Sequence, residues 1–181
     1  MDKERILKNY IQELLVWNKK INLIGRSTEA NLWEVHIENS LELLPFLNDE
    51  DCESIVDIGS GAGFPSIPLS IYLPGKRFFL TEVNQKKIAF LTYVKKILDL
   101  KNVEVININE GFYFSEECIV TSRAFSSLFE IKKWSERHLK MVRKFFVFKG
   151  EIEKIKNEIE QAKIKEYELK KIKMGYLVIF Q

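Results

Sequence analysis

The run Ile55-Val56-Asp57-Ile58-Gly59-Ser60-Gly61-Ala62-Gly63-Phe64-Pro65 constrains the fold of this chain more than any other part of it. A short apolar segment, Ile55, Val56 and Ile58, leads into three alternating glycines, Gly59, Gly61 and Gly63. Glycine permits a sharp turn and lets a ligand lie against the backbone with no Cβ between them. Pro65 then falls where a first helical residue belongs, a position at which its missing N–H costs nothing. Strand, glycine turn and helix start together read as a nucleotide-binding corner of a doubly wound α/β sheet.

Spacing narrows the nucleotide. The dinucleotide fingerprint needs G-x-G-x-x-G directly after a strand. Counted from Gly59 the third glycine falls on Phe64, and counted from Gly61 it falls on Ser66, so neither register fits. A phosphate-cradling G-x-x-x-x-G-K-[ST] is also missing from the chain. The pattern present, Asp57-x-Gly59-x-Gly61-x-Gly63, is similar to that of methyltransferases that use S-adenosylmethionine. That ligand has no pyrophosphate, so the loop has only to let its amino-acid end and ribose approach the backbone.

The rest of the chain supplies the elements such a sheet needs. Apolar positions at helical spacing predict a helix over 2–19 and a second one from Ser27 or Thr28 to near Pro45. From there strands and helices alternate. Strands are predicted at 54–58, 77–82, 103–108, 118–122 and 144–149. Helices are predicted at 65–72, from the cap Asn84 to about Leu98, at 110–114, at 127–140 and at 151–164. Two last strands, 166–173 and 176–181, turn about Gly175. This order implies βαβ units and a mainly parallel sheet, and the terminal hairpin adds one antiparallel strand. The expectation is a Rossmann-like class I methyltransferase fold with seven strands, preceded by a helical extension: one domain, 1–181, with the extension over 1–50 and the core over 51–181.

With 181 residues the chain has room for a full core, and its net charge of +2 neither demands nor excludes nucleic acid. Cys52 and Cys118 lie far apart with no metal-ligand or redox spacing, so no metal and no disulfide is expected. Met1-Asp2-Lys3-Glu4-Arg5 is too charged to begin a signal peptide, and no apolar run approaches the ~20 residues of a membrane span. A reduced, cytoplasmic protein without membrane contact is expected, and nothing in the sequence requires more than a monomer.

Ligands of open α/β sheets bind beyond the carboxyl ends of the strands. Asp57 ends the first strand, as a cofactor contact or as a turn-stabilising carboxylate. Glu82 ends the second, where an acid can accept both ribose hydroxyls; capping the next helix is the rival role. Glu110 follows the third strand beside the Asn109 backbone and suits an adenine amine, or serves as a helix-start acid. After the fourth strand comes Thr121-Ser122-Arg123-Ala124-Phe125. This edge holds no Asp/Asn-Pro-Pro-aromatic motif for an exocyclic amine, no Pro-Cys nucleophile and no evident general base. A substrate whose lone pair needs no base, such as an aromatic ring nitrogen, fits that inventory. Arg123 is a planar cation suited to the cofactor carboxylate or to an RNA phosphate. Lys132, Lys133, Arg137, Lys140, Arg143, Lys144 and Lys149 then form a basic cluster opposed by Glu130 and Glu136 alone.

With these residues assembled, the chain resembles the RsmG (GidB) family. The resemblance runs through Trp17-Asn18-Lys19-Lys20-Ile21-Asn22-Leu23, His36-Ile37-x-x-Ser40 and Asp57 to Pro65. It continues in Glu82-x-Asn84-x-Lys86-Lys87, Phe90-Leu91, Ser122-Arg123-Ala124-Phe125 and Lys149-Gly150. It departs at Ser66, where the family usually has glycine, and at Leu23-Ile24-Gly25. The family methylates guanine N7 in small-subunit (16S) ribosomal RNA. The resemblance therefore implies an S-adenosylmethionine-dependent enzyme that leaves S-adenosylhomocysteine and acts on 16S RNA or the small ribosomal subunit. It implies cofactor contacts from Gly59, Phe64, Asn109, Glu110 and Arg123, with Glu82 on the ribose. Asn22, His36 and Ser40 either face the RNA or hold the extension on the sheet. RNA contacts are looked for at Asn22, His36, Arg123, Lys132, Lys133 and Lys149. The rival functions are a methyltransferase with another acceptor and an RNA-binding module without catalysis.

Overall fold

The structure is a computed structural model that describes residues 2–181. Its centre is one seven-stranded sheet in the order β3-β2-β1-β4-β5-β7-β6. The strands are β1 (Ser54–Ile58), β2 (Arg77–Glu82), β3 (Val103–Asn107), β4 (Phe114–Arg123), β5 (Leu139–Lys149), β6 (Tyr167–Ile172) and β7 (Gly175–Phe180). All neighbouring pairs run parallel except those made by β7, which is antiparallel to both β5 and β6. The expected layout of a mainly parallel sheet with one antiparallel strand is therefore present. The order reverses between β1 and β4, and at this switch point the ends of two adjacent strands part to leave a crevice.

Alternation along the strands divides the core between the two faces of the sheet. Ile55, Phe78, Leu80, Ile119, Phe146 and Ile179 pack on one face with Tyr10 and Leu14 of α1 (Lys3–Asn18), Ile67 of α4 (Ser66–Tyr72) and Phe90 and Val94 of α5 (Gln85–Ile97). Val56, Ile58, Val120, Phe145, Val147 and Val178 pack on the other with Leu128 and Ile131 of α6 (Leu128–His138) and Ile155 and Ile159 of α7 (Ile152–Gln161). Burial on both faces explains why β1 reads as a continuous apolar run broken only by Asp57.

The helix caps follow the sequence. Asn84 accepts from the N–H groups of Lys86 and Lys87, and Ser127 accepts from Glu130 N. The extension departs from the single helix expected from Ser27 or Thr28 to Pro45. It breaks into a 3₁₀ turn (Arg26–Thr28), a π-helical segment (Trp33–Glu38), α2 (Asn39–Leu41) and α3 (Leu44–Asn48). Pro45 opens α3 instead of closing the helix before it, because proline suits a first helical turn as well as a stop. Strands β4 and β5 begin earlier than their apolar runs. After buried Phe114 and Leu139 come mostly polar residues, Ser115 to Glu117 in β4 and Lys140, Arg143 and Lys144 in β5, and the Arg143–Glu117 ion pair at 3.2 Å joins the two strands there. The short helix expected at 110–114 is a 3₁₀ turn at Ile108–Glu110, ended by Gly111 at φ +87°.

Candidate active site

The crevice is floored by the loop that follows β1. Gly59 has φ +70°, and a Cβ there would stand 2.1 Å from Cδ2 of Phe125. Gly63 has φ +97°, and its Cβ would stand 2.5 Å from Cγ1 of Ile67. Both positions need glycine for conformation and for space. The loop is held from two sides. Tyr10 of α1 donates its hydroxyl to Ala62 O at 2.5 Å, and Gly61 N donates to Glu82 Oε2 at 3.1 Å. Burial pushes the Tyr10 phenol well above its ordinary pKa, so it stays a donor.

Glu82 is nearly buried and accepts three backbone N–H groups: Gly61 at Oε2, and Val83 (2.8 Å) and Asn84 (3.0 Å) at Oε1. The helix-capping role falls to Asn84, so Glu82 braces the glycine loop against the end of β2. Asn109 donates to Val83 O at 2.9 Å, and Glu110 accepts from Asn107 at 2.7 Å; both lie exposed beyond β3. Val83 itself leaves 54 % of its surface in solvent, an apolar residue directly after Glu82.

Asp57 lies fully buried beneath the loop. Oδ1 accepts from Thr121 Oγ1 at 3.3 Å, whereas Oδ2 and the nearby Ser66 hydroxyl have no hydrogen-bond partner among the described residues. Burial pushes Asp57 up to about 7, against the opposing pull of the Ser66, Ser60 and Thr121 hydroxyls. Ser66 favours the ionised form by proximity without completing a bond of good geometry, so Asp57 is poorly solvated in either state.

Arg123, at the end of β4, reaches across to the extension. Its guanidinium donates to Val35 O (2.9 Å), His36 O (3.4 Å) and His36 Nδ1 (3.0 Å), and stands 5.7 Å above the Phe64 ring. His36 stacks on Phe64 with ring centres 4.8 Å apart. Burial and the Arg123 charge bring His36 down to about 4, so its ring is neutral at pH 7. Because Nδ1 accepts from Arg123, the ring proton sits on Nε2 and is donated to Thr28 Oγ1 at 2.9 Å; Thr28 in turn donates to Gly25 O. Ser40 is buried and donates to His36 O at 2.5 Å. Burial lowers Arg123 to about 10, and none of its bonds is to a carboxylate. The result is a half-buried cation with donors to spare, facing a cavity of about 250 Å³ bounded by Leu23, Gly25, His36, Gly59, Gly61, Phe64 and Lys87.

The remaining candidates separate. Asn22 is exposed at the rim of this cavity, next to Leu23. Lys149 is committed inward, to Ser126 O at 2.6 Å and to Glu158 at 2.7 Å. Lys132 donates to Ala162 O at 3.1 Å, and Lys144 and Arg143 pair with Glu50. Lys133 is exposed on α6 and makes no ion pair among the described residues. Cys118 is buried in β4 and pushed up to about 12 by burial, which leaves it inert as a nucleophile. Among the described residues no group of three or more His, Cys, Asp or Glu is placed to hold a metal ion, and no helix is long and apolar enough to cross a membrane. Sequence reasoning missed Tyr10, Val83, Thr28 and the seat of Phe125 on Gly59. Only Val83 carried a signal, an apolar residue between Glu82 and the cap Asn84.

A glycine loop at the switch point, an acid ending the second strand and one antiparallel strand near the sheet edge define a Rossmann-like methyltransferase fold. Solved structures agree on that fold. The precorrin-6y C5,15-methyltransferase of Geobacter metallireducens superposes with a TM-score of 0.55 at 18 % identity over 89 % of this chain and 91 % of that one. The human methyltransferase 10 domain containing protein gives a TM-score of 0.60 at 15 % identity over 99 % and 97 %. Residues 3–178 match the family described as rRNA small subunit methyltransferase G, and the chain belongs to that family. Relatives named ribosomal RNA small subunit methyltransferase G include that of Magnetococcus marinus, 35 % identical over 96 % of this chain and 84 % of its own length. The protein of that name from Brachyspira hyodysenteriae is 38 % identical over 90 % and 78 %. The one from Helicobacter pylori strain HPAG1 is 42 % identical over 85 % of each.

Proposed function

We propose that the chain transfers a methyl group from S-adenosylmethionine to N7 of a guanine in small-subunit (16S) ribosomal RNA. One observation carries the choice of acceptor atom: the Glu82 and Asp57 carboxylates and the His36 imidazole at the crevice are already engaged or sealed. Glu82 accepts three backbone N–H groups, both ring nitrogens of His36 are bonded, and Asp57 is sealed under the loop. An acceptor that must lose a proton before attack would find no open carboxylate or imidazole among these three, whereas N7 presents a free lone pair.

The residues present fit the cofactor. Gly59, Ser60 and Gly61 line the cavity with loop backbone, and Arg123 is a half-buried cation whose bonds go to no carboxylate. Arg123 would take the amino-acid carboxylate, the unused lone pairs of Glu82 the ribose hydroxyls, and Val83 with the Asn109 backbone and Glu110 the adenine. The cofactor supplies the electrophilic sulfonium methyl. The chain supplies orientation and exclusion of water, worth up to about 7–11 kcal/mol in favourable cases. No metal takes part, and the enzyme works as a monomer on a substrate of the cytoplasm.

The test is transfer of labelled methyl from S-adenosylmethionine to unmodified small subunits and to their deproteinised RNA, followed by nucleoside analysis. Label in 7-methylguanosine is expected. Label in another nucleoside would move the acceptor atom, and cofactor binding without RNA label would move the substrate class.

A further inference from the structure

We propose that the outer face of α6, beginning at Phe125, is a docking surface for a single-stranded RNA segment next to the methylated base. The inference rests on ribosomal RNA being the substrate, and adds where the strand lies. Phe125 is 44 % exposed, yet one edge of its ring is pressed against Gly59, in the floor of the crevice. Ala124 turns the chain there with φ +55°, a left-handed conformation costly for any residue but glycine and of the kind held at functional sites. The surface therefore starts at the cofactor loop itself.

From that point α6 runs back along the sheet, and its exposed stripe passes from aromatic to cationic groups. Phe129 is 46 % exposed, Lys133 Nζ lies 6.0 Å over its ring, and Arg137 follows one turn on. Spacing of i, i+4, i+8 puts all three on one line. A cavity of about 190 Å³ opens beside this line, walled by Phe125, Glu130, Lys133, Trp134 and Arg137. Lys133 and Arg137 enter no ion pair among the described residues, in contrast to Lys144 and Lys149 in the same basic cluster. Exposed rings offer bases a stacking face and free cations take the phosphates between them, the combination that single strands use. A duplex keeps its bases stacked on each other and has no use for the rings.

The measurements are KM for deproteinised small-subunit RNA and the salt dependence of its binding, with cofactor affinity as the control. Phe129→Ala should raise KM about fivefold or more, and Phe129→Trp should restore it. K133A/R137A should lower the slope of log affinity against log salt by about 1.4, two single-strand phosphates at ~0.7 each. K154A/K156A on α7 removes the same charge from a solvated face and should leave both readings unchanged. Cofactor affinity should hold in every variant. Wild-type KM and slope in F129A and K133A/R137A, with RNA still methylated, would overturn the docking surface alone. Competition by duplex RNA as strong as by single strands would overturn its single-stranded occupant. Cofactor binding with no RNA methylated by the wild-type chain would instead overturn the substrate reading, and this surface with it.

Discussion

Replacing Glu82 by glutamine separates two roles that share one side chain. The carboxylate accepts from Gly61 at one oxygen and from Val83 and Asn84 at the other, and the residue is only 7 % exposed. Hydrogen bonds to a charged group are each worth about 1.5–3 kcal/mol. In E82Q the amide oxygen can keep the Val83 and Asn84 pair, weakened by loss of charge, but the amide nitrogen then opposes Gly61 N–H, donor against donor. Loss of the Gly61 bond and weakening of the other two should cost about 2–4 kcal/mol without any cofactor present. For a chain of this size that lowers Tm by roughly 4–16 °C. Thermal unfolding of the cofactor-free variant measures it, and equilibrium titration then reads the separate loss of S-adenosylmethionine affinity. If E82Q unfolds like the wild type and only cofactor affinity falls, Glu82 is a ribose ligand and nothing more, and the bracing argument is wrong.

Three further outcomes follow from the same geometry. Arg123→Met removes three donations to the π-helical segment, so amide exchange over residues 23–38 should accelerate at least tenfold and cofactor affinity should fall; wild-type protection there would remove Arg123 from its tethering role. Gly59→Ala should destabilise through both its φ of +70° and its contact with Phe125, and adding Phe125→Ala should recover the contact part alone, leaving about 1–2 kcal/mol in urea unfolding; additive losses would refute the contact. The pH dependences of Asp57 and His36 oppose each other. Asp57 stays protonated to about pH 7 when folded but ionises near 3.8 when unfolded, so its stabilisation is complete at low pH and drains as pH rises to 7. His36 takes its proton near 6.5 when unfolded but only near 4 when folded, so its stabilisation is complete above 6.5 and drains as pH falls to 4. Urea midpoints should therefore shift in favour of D57N, relative to wild type, as pH rises from 4 to 7, and in favour of H36Q as pH falls from 6.5 to 4; pH-independent differences would contradict both assignments.

By itself the sequence determined the strands of the sheet and the glycine corner after the first of them. Both are written in local chemistry: apolar runs of strand length, Asn84 as a cap, glycines where the turn needs φ above zero, and Glu82 one strand beyond them. Charge and polarity hid the rest of the local structure, such as the early residues of β4, which are strand only because β5 lies beside them. The tertiary structure alone decided how the candidates divide. That Arg123 ties down Val35 and His36, that Lys149 turns inward to Ser126 while Lys133 makes no ion pair among the described residues, and that Phe125 rests on Gly59 depend on contacts between residues 23 to 88 positions apart or on which face of α6 the core consumes. A one-dimensional pattern records which groups a chain owns. Which of them remain free to meet a ligand is settled only when the chain has used the others to hold itself together.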